Sequence, residues 1–357
     1  MLTALPTAAA PAPVSDSIGS PTLWIATIAG VAALFVVDFL ITRRPHDPST
    51  REAVGWSAFY IAVPVVFGGW LWWQYGSAQG VEYYTGYLVE KSLSVDNLFV
   101  FIILLSAFAV PRVLRQRVLL IGVGGALVLR GVFIALGAQM IASFAWTFLL
   151  FGAILLATAV KVGRDALSHT DHGIDVDSLR SVKLVRRLYP VTDAYAGTNL
   201  TVRRDGRDRG RALTPLALVA IAILGTDVVF AIDSVPAVYG ITGDPYLVFV
   251  TNAFALLGLR ALYFLLEGAL AKLVHLGHGL ALILAFIGAK LVLHWAHGVW
   301  PSVPEIPTLL SLAVIVGILA VVTLTSLAAN RRERSTGPAS REPQPDAGAE
   351  PSRPRSG

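Results

Sequence analysis

The chain has 357 residues, of which 55% are hydrophobic and only 14% carry a charged side chain. Soluble domains carry about 25% charged residues, and the mean hydropathy here is +0.66, so a soluble globular protein is excluded. The absence of cysteine excludes disulfides, thiolate metal sites and thiol nucleophiles. The composition predicts an all-α protein that crosses a membrane several times.

Apolar stretches of membrane-spanning length recur along the chain. The N-terminal segment before the first of them lacks the basic start of a cleaved signal peptide. About nine spans are predicted, at residues 22–42, 55–75, 83–107, 117–139, 143–162, 213–238, 246–267, 276–296 and 307–328. The chain then divides into an extracytoplasmic N-terminal segment (1–21), two peripheral helices (22–75), a first repeat (83–162), a cytoplasmic loop (163–212), a second repeat (213–296), a final helix (307–328) and a disordered cytoplasmic tail (329–357).

Lysine and arginine are distributed unevenly between the predicted loops. If the N-terminus lies outside, all but four of the 28 Lys and Arg residues fall in the inner segments or at the span ends that border them. The positive-inside rule therefore predicts an outer N-terminus and an inner C-terminus. Topology accounts for the net charge of +5, and no nucleic-acid partner is predicted; the expected surroundings are a lipid bilayer.

The two predicted repeats share three sequence matches in the same order. The first match places two carboxylates six residues apart in each copy, Glu90 with Asp96 and Asp227 with Asp233. Because the two three-helix units cross the membrane in opposite directions, an inverted 3+3 helix repeat is predicted, which is typical of secondary transporters that bind substrate at the repeat interface. The matches are VEKSLSVDNLFVF (89–101) with TDVVFAIDSVPAV (226–238), LRGVFIAL (129–136) with LRALYFLL (259–266), and LATAVKV (156–162) with AFIGAKL (285–291).

Charged residues also lie in the interior of the repeat spans, where each costs about 2.5–3.5 kcal/mol on insertion scales. One interpretation is a set of structural ion pairs that lock the repeats together. The other is a cation site, favoured because the acids cluster on one span per repeat and each pair is followed by a neutral oxygen donor. The residues concerned are Glu90, Asp96, Asp227 and Asp233, the basic residues Lys91, Arg130, Arg260 and Lys290, and the donors Asn97 and Ser234.

Helix geometry restricts how the acids can act. Residues six apart on a straight helix lie about 120° apart and about 9 Å along the axis, so the two acids of one pair cannot reach one small ion. Either the helix is unwound locally or each acid faces a different neighbour. Gly225 and Pro236 favour an interruption in the span at 213–238, whereas the span at 83–107 has no such breaker.

The candidate ligands are all oxygens. Four carboxylates with Ser94, Asn97 and Ser234 suit Mg²⁺, Ca²⁺ or Mn²⁺ as a transported substrate. Proton exchange against the cation is chemically reasonable, because clustered carboxylates raise each other's pKa, and the four basic residues would act as counter-charges when the site is empty. We assign no role to the histidines, which lie in loops or near span ends, and predict no permanently bound cofactor and no oligomeric state.

Two rival functions remain open. A membrane assembly or insertion partner would use the intramembrane charges only to hold its bundle together. An enzyme is disfavoured, because the sequence contains no nucleophile constellation and no metal-hydrolase motif.

From about Asp38 to about Trp295 the sequence resembles the TerC family of integral membrane proteins, named for tellurite resistance. The resemblance implies Mn²⁺ efflux across the bacterial cytoplasmic membrane, with Glu90, Asp96, Asn97, Asp227 and Asp233 as metal ligands. No redox-active residue in the spans gives tellurite resistance a chemical basis. The resemblance rests on RRPHDPSTREAVGWSAFY, GYLVEKSLSVDNLFVF, LYPVTDAY, DVVFAIDSVPAV and TNAFALLGLRALYFLL.

Three positions near these motifs stay open. Many family members have an acid where this chain has Leu224, so the site here has one ligand fewer if that acid binds metal. Asp38 matches the family and is either functional or neutralised by Arg43 or Arg44. Asn252 is either a further oxygen ligand or a hydrogen-bonding contact between helices.

Overall fold

The computed structural model describes residues 17–41, 49–168, 180–192, 195–203, 211–266 and 275–336. These residues are helical almost throughout, with one short two-stranded sheet. The helices are α1 (Pro21–Ile41), α2 (Thr50–Tyr75), α3 (Ser77–Ala107), α4 (Arg112–Ser143), α5 (Thr147–Ser168), α6 (Arg180–Leu188), α7 (Pro215–Tyr239), α8 (Pro245–Leu257), α9 (Leu259–Leu266), α10 (Leu276–Val299) and α11 (Thr308–Thr336), and the strands are β1 (Thr201–Arg203) and β2 (Arg211–Leu213).

Within the described residues, eight segments are long and apolar enough to cross a membrane, one of them formed by α8 and α9 together. The all-α, multi-pass prediction is therefore confirmed. The remaining predicted span, 83–107, lies within α3. That helix is less apolar than its neighbours because it carries Glu82, Glu90, Lys91 and Asp96.

The predicted interruption at 213–238 is wrong, because α7 runs without a break from Pro215 to Tyr239. Pro236 lies in its last turn, where the helix is ending. The interruption lies instead in the predicted span at 246–267, in which α8 ends at Leu257, Gly258 follows, and α9 begins at Leu259. Because α3 and α7 are continuous helices, the remaining alternative is that each acid of a pair faces a different neighbour.

The helices of the two predicted repeats pack mainly across the pair. α3 packs against α8 and α4 against α7, so the first helix of each unit contacts the second helix of the other; α5 and α10, the third helices, contact each other. Exchanging the units leaves these pairings unchanged, as a two-fold relation requires. The inverted repeat itself stays a prediction, which this packing supports.

α5 and α10 approach closely at two glycines. A Cβ atom on Gly152 would lie 2.9 Å from the carbonyl oxygen of Gly288, and one on Gly288 would lie 3.1 Å from that of Gly152. Small residues permit such contact, and dispersion and packing rather than the hydrophobic effect hold helices together in lipid. The contact joins the two units directly.

We expect Gly152→Leu to destabilise the protein by about 1–3 kcal/mol, since the larger side chain must push α5 from α10. Unfolding of the purified protein in detergent measures the loss. Gly317→Leu on α11 is the matched control, because nothing lies within 4 Å of a Cβ at that position. Equal stability of the two variants would contradict a tight α5–α10 contact.

The predicted cytoplasmic loop has ordered parts. β1 and β2 pair antiparallel, with Val202 opposite Ala212. The Tyr195 hydroxyl donates to the carbonyl oxygen of Phe108 at 2.7 Å, and burial raises the pKa of this phenol. The loop therefore attaches to the turn between α3 and α4.

The predicted disordered tail is partly wrong. α11 includes residues 329–336, a stretch that contains no glycine or proline. The rest of the tail, 337–357, lies outside the described residues, as does the N-terminal segment before Ser17.

Candidate functional site

Arg130 of α4 lies at the centre of a buried polar cluster and is 1% exposed. Its guanidinium contacts Glu90 of α3 through Nη1 and Asp227 of α7 through Nη2, at 3.2 Å. Nη1 also donates to Asn252 of α8, at 3.2 Å. One arginine thus joins the first and second helices of both predicted repeats.

Asn97 completes this cluster from α3. When its side-chain amide is oriented to satisfy both ends, the oxygen accepts from Arg130 Nη2 at 3.1 Å and the nitrogen donates to the Leu93 carbonyl at 3.1 Å. Asn97 is 3% exposed. Its oxygen therefore faces the same space as the Glu90 and Asp227 carboxylates.

The cluster has more negative than positive charge. Glu90 and Asp227, both fully buried, share Arg130, and the half-buried Asp233 of α7 lies within electrostatic range of Glu90 and Arg130. A buried charge without a partner is strongly destabilising. Because these three acids outnumber Arg130, a proton on one of them or a bound cation would reduce the surplus negative charge.

Several buried oxygens in these helices lack a hydrogen-bond partner among the described residues. They include Glu90 Oε2, Ser94 Oγ and Ser234 Oγ, besides the hydroxyl of Tyr87, and the side chains of Glu90, Ser94 and Ser234 are at most 1% exposed. Buried polar atoms are nearly always paired in native structures. Unpaired oxygens beside surplus carboxylates have the chemistry of ligands for a hard cation.

The predicted ligands are only partly assembled in the described structure. Arg130 brings together Glu90, Asn97 and Asp227, whereas the side chain of Asp96 lies outside the described residues. Among described side chains, no three His, Cys, Asp or Glu residues are grouped closely enough to hold a metal ion. A guanidinium occupies the space between Glu90 and Asp227 instead.

Lys91 has a local structural partner. Its ammonium group donates to the carbonyl oxygen of Ala255 at 3.2 Å, in the last turn of α8. A helix that ends leaves carbonyls unpaired and a partial negative charge at its C-terminus, both of which a cation stabilises. Gly258 allows the approach, since a Cβ there would lie 3.2 Å from Lys91 Nζ. Gly258 is the sequence feature that indicates this contact, and it was not among the predicted site residues.

Arg260, the repeat counterpart of Arg130, lies elsewhere. Its Nε donates to both carboxylate oxygens of Asp38 on α1, each at 3.0 Å. Asp38 therefore forms an ion pair with Arg260. The predicted partners Arg43 and Arg44 lie outside the described residues, so their part in neutralising Asp38 stays a prediction. The described contacts of Arg260 are therefore not those of a counter-charge to the four acids.

Lys290 of α10 lies within electrostatic range of Glu82 and Glu305, and the Thr242 hydroxyl donates to Glu82 at 2.6 Å. This group is near the predicted outer ends of the spans, away from Arg130. Leu224 packs against α4, where a Cβ on Gly125 would lie 2.2 Å from its Cδ2. An apolar contact thus occupies the position at which the resemblance expects an acid.

Comparison with known proteins places this arrangement in context. The integral membrane protein TerC family matches residues 75–334. The chain is 37% identical to the uncharacterized membrane protein STKORF319 of Myxococcus xanthus, over 88% of this chain and 95% of that protein. It is 40% identical to the uncharacterized membrane protein Rv2723 of Mycobacterium tuberculosis, over 85% and 78%.

The chain is also 38% identical to the putative membrane-bound redox modulator Alx of Escherichia coli, over 89% of this chain and 98% of that protein. No solved structure matches. These relatives are membrane proteins by name, and the chain extends over most of the length of each. The multi-pass membrane localisation predicted from hydropathy is therefore confirmed.

Proposed function

The chain belongs to the integral membrane protein TerC family, and from that premise we propose that it exports a hard divalent cation, Mn²⁺, across the cytoplasmic membrane. The observation that carries the proposal is the excess of buried acid around Arg130, together with unpaired oxygens on α3 and α7. Oxygen ligands select hard cations over zinc and copper. Mn²⁺ is the substrate here, not a resident cofactor.

In this proposal Arg130 is the internal cation of the empty site. Its guanidinium neutralises one of the acids that surround it, so the resting protein avoids several unpaired buried charges. A divalent ion that enters competes with Arg130 for Glu90 and Asp227. Asp96, Asp233, Asn97, Ser94 and Ser234 supply further oxygens from the same two helices. Protons released from or taken up by the acids would couple transport to the pH gradient.

The alternative is a membrane assembly partner whose charges are structural. The contacts of Arg130 on α4 with three other helices favour that alternative as well, since they hold α3, α4, α7 and α8 together. A structural network does not require the surplus acid or the unpaired hydroxyls, and this difference separates the two proposals. The name redox modulator, given to a relative, does not indicate thiol chemistry in this chain, which has no cysteine.

Reconstituted vesicles test the proposal. We expect Mn²⁺ uptake by inside-out proteoliposomes to depend on the pH gradient. Asp233→Asn should lower the rate of uptake by at least about tenfold, which is the lower end of the losses caused by changes around metal ligands. Asp233→Glu should also lose activity, because a longer side chain displaces the carboxylate from a close-fitting site.

Asp165→Asn on the exposed inner end of α5 is the matched control and should transport normally. Thermal unfolding of each variant separates lost transport from lost folding. Wild-type transport by Asp233→Asn would contradict the export proposal. Full activity of Asp233→Glu with loss only in Asp233→Asn would instead support a structural role for the charge.

A further inference from the structure

We infer that α6 is a membrane-surface helix that binds anionic phospholipid in the inner leaflet. This inference is separate from cation export and concerns the cytoplasmic segment between the two predicted repeats. It begins from the nine-residue sequence RSVKLVRRL of α6, in which basic and apolar residues alternate irregularly.

The helix separates these residues onto different faces. At about 100° per residue, Lys183, Arg186 and Arg187 fall within one arc of about 100°. Leu184 and Leu188 lie about 40° apart on another side, outside that arc. All five side chains are exposed, with Leu184 at 59% and Leu188 at 63%. A basic face beside an exposed apolar face is the pattern of helices that lie in the membrane interface.

A third face of α6 fixes the helix to the protein. Val182 is fully buried and belongs to an apolar cluster with Leu105 of α3, Leu114 of α4 and Leu216 of α7. These residues lie at the predicted inner ends of their helices, so α6 is held at the level where the bilayer meets the cytoplasm. Leu184 and Leu188 lie about 160° and 120° around the helix from Val182, so at this level they face away from the protein.

Charge complementarity identifies the occupant as anionic lipid. The inner leaflet has a negative surface potential that attracts basic residues with about 1 kcal/mol each, or about a fivefold change in binding per residue. The exposed leucines would enter the boundary between head groups and acyl chains while the basic residues contact phosphates. An acidic protein could also contact the basic face, but nothing in the described residues would hold such a protein at the level of the membrane.

A fluorescent label on α6 tests this inference in the full-length protein. The chain has no cysteine, so Leu188→Cys accepts a label at that position alone. In vesicles of phosphatidylcholine mixed with phosphatidylglycerol, we expect strong quenching by lipids that carry a nitroxide on the acyl chain. Vesicles of phosphatidylcholine alone should give weaker quenching, and high salt should reduce the difference.

Neutralising the basic face is the decisive comparison. The double change K183Q/R187Q should lower the extent of docking by up to about 25-fold, at about fivefold per residue; Arg186 is kept, because it also interacts within the protein. The matched control R331Q/R332Q at the end of α11 removes the same charge and should leave quenching unchanged. Quenching that is equal in both lipid mixtures and unaffected by the double change would overturn the inference. A label shielded from aqueous iodide but not quenched by lipid nitroxides would overturn it in favour of a protein contact.

Discussion

Arg130→Met is expected to lower the free energy of unfolding by about 3–5 kcal/mol, the cost of breaking a buried ion pair by removing one partner. Glu90 and Asp227 would then both lie fully buried without the guanidinium that each contacts in the native protein. Unfolding of the purified protein in mild detergent measures the loss. Methionine keeps much of the side-chain volume, so a cavity contributes little.

Two further variants make this result specific. Arg164→Met removes an exposed arginine at the inner end of α5 and should change stability by less than about 0.5 kcal/mol. The triple variant E90Q/R130M/D227N removes Arg130 together with the two acids that it contacts and should recover part of the loss, since neither of those carboxylates is left charged and unpaired. A stability of Arg130→Met equal to wild type would show that the acids do not depend on Arg130.

The second large effect is expected at the junction between α1 and α9. Asp38→Asn should destabilise the protein by about 3–5 kcal/mol, because Arg260 would remain buried, with its side chain 4% exposed, and without a carboxylate. Asparagine has nearly the shape of aspartate, so the lost charge is the cause. Unfolding in detergent again measures the change.

The double variant D38L/R260M is the corresponding control. Replacing both members of a buried pair by apolar residues is often neutral or stabilising, and we expect stability near that of wild type. Its Mn²⁺ uptake should also be preserved, because the described contacts of this pair lie between α1 and α9 and do not include Glu90 or Asp227. If the double variant were as unstable as Asp38→Asn, the packing of α1 rather than the ion pair would be responsible.

Hydropathy was sufficient to predict the membrane-spanning helices, because a span must satisfy every backbone group internally and is therefore helical and apolar. Charged residues inside such spans are costly enough that their positions also carry information. Glu90 and Asp227 were chosen from the sequence on this basis, and the structure brings them to one arginine. Whether they bind metal stays a prediction.

Sequence reasoning failed where the partner was distant or the signal was weak. Asp38 and Arg260 are 222 residues apart, and no periodicity links a peripheral helix to a residue inside a repeat. Pro236 is a strong helix breaker, yet its position in the last turn of α7 makes it harmless. Gly258 is a weak breaker alone, and the sequence around it gives no sign of the close approach of Tyr60 and Lys91, which a Cβ atom there would meet at 3.0 and 3.2 Å.

The interruption at Gly258 separates two half-helices that are attached to different parts of the protein. α8 is attached to Arg130 through Asn252, and α9 is anchored to α1 through Arg260. Because α8 also packs against α3 and α4, its position follows that of the polar cluster, whereas the position of α9 follows that of the peripheral helix α1. The Lys91–Ala255 hydrogen bond therefore lies at the boundary between the part of the bundle that carries the buried acids and the part that anchors its edge.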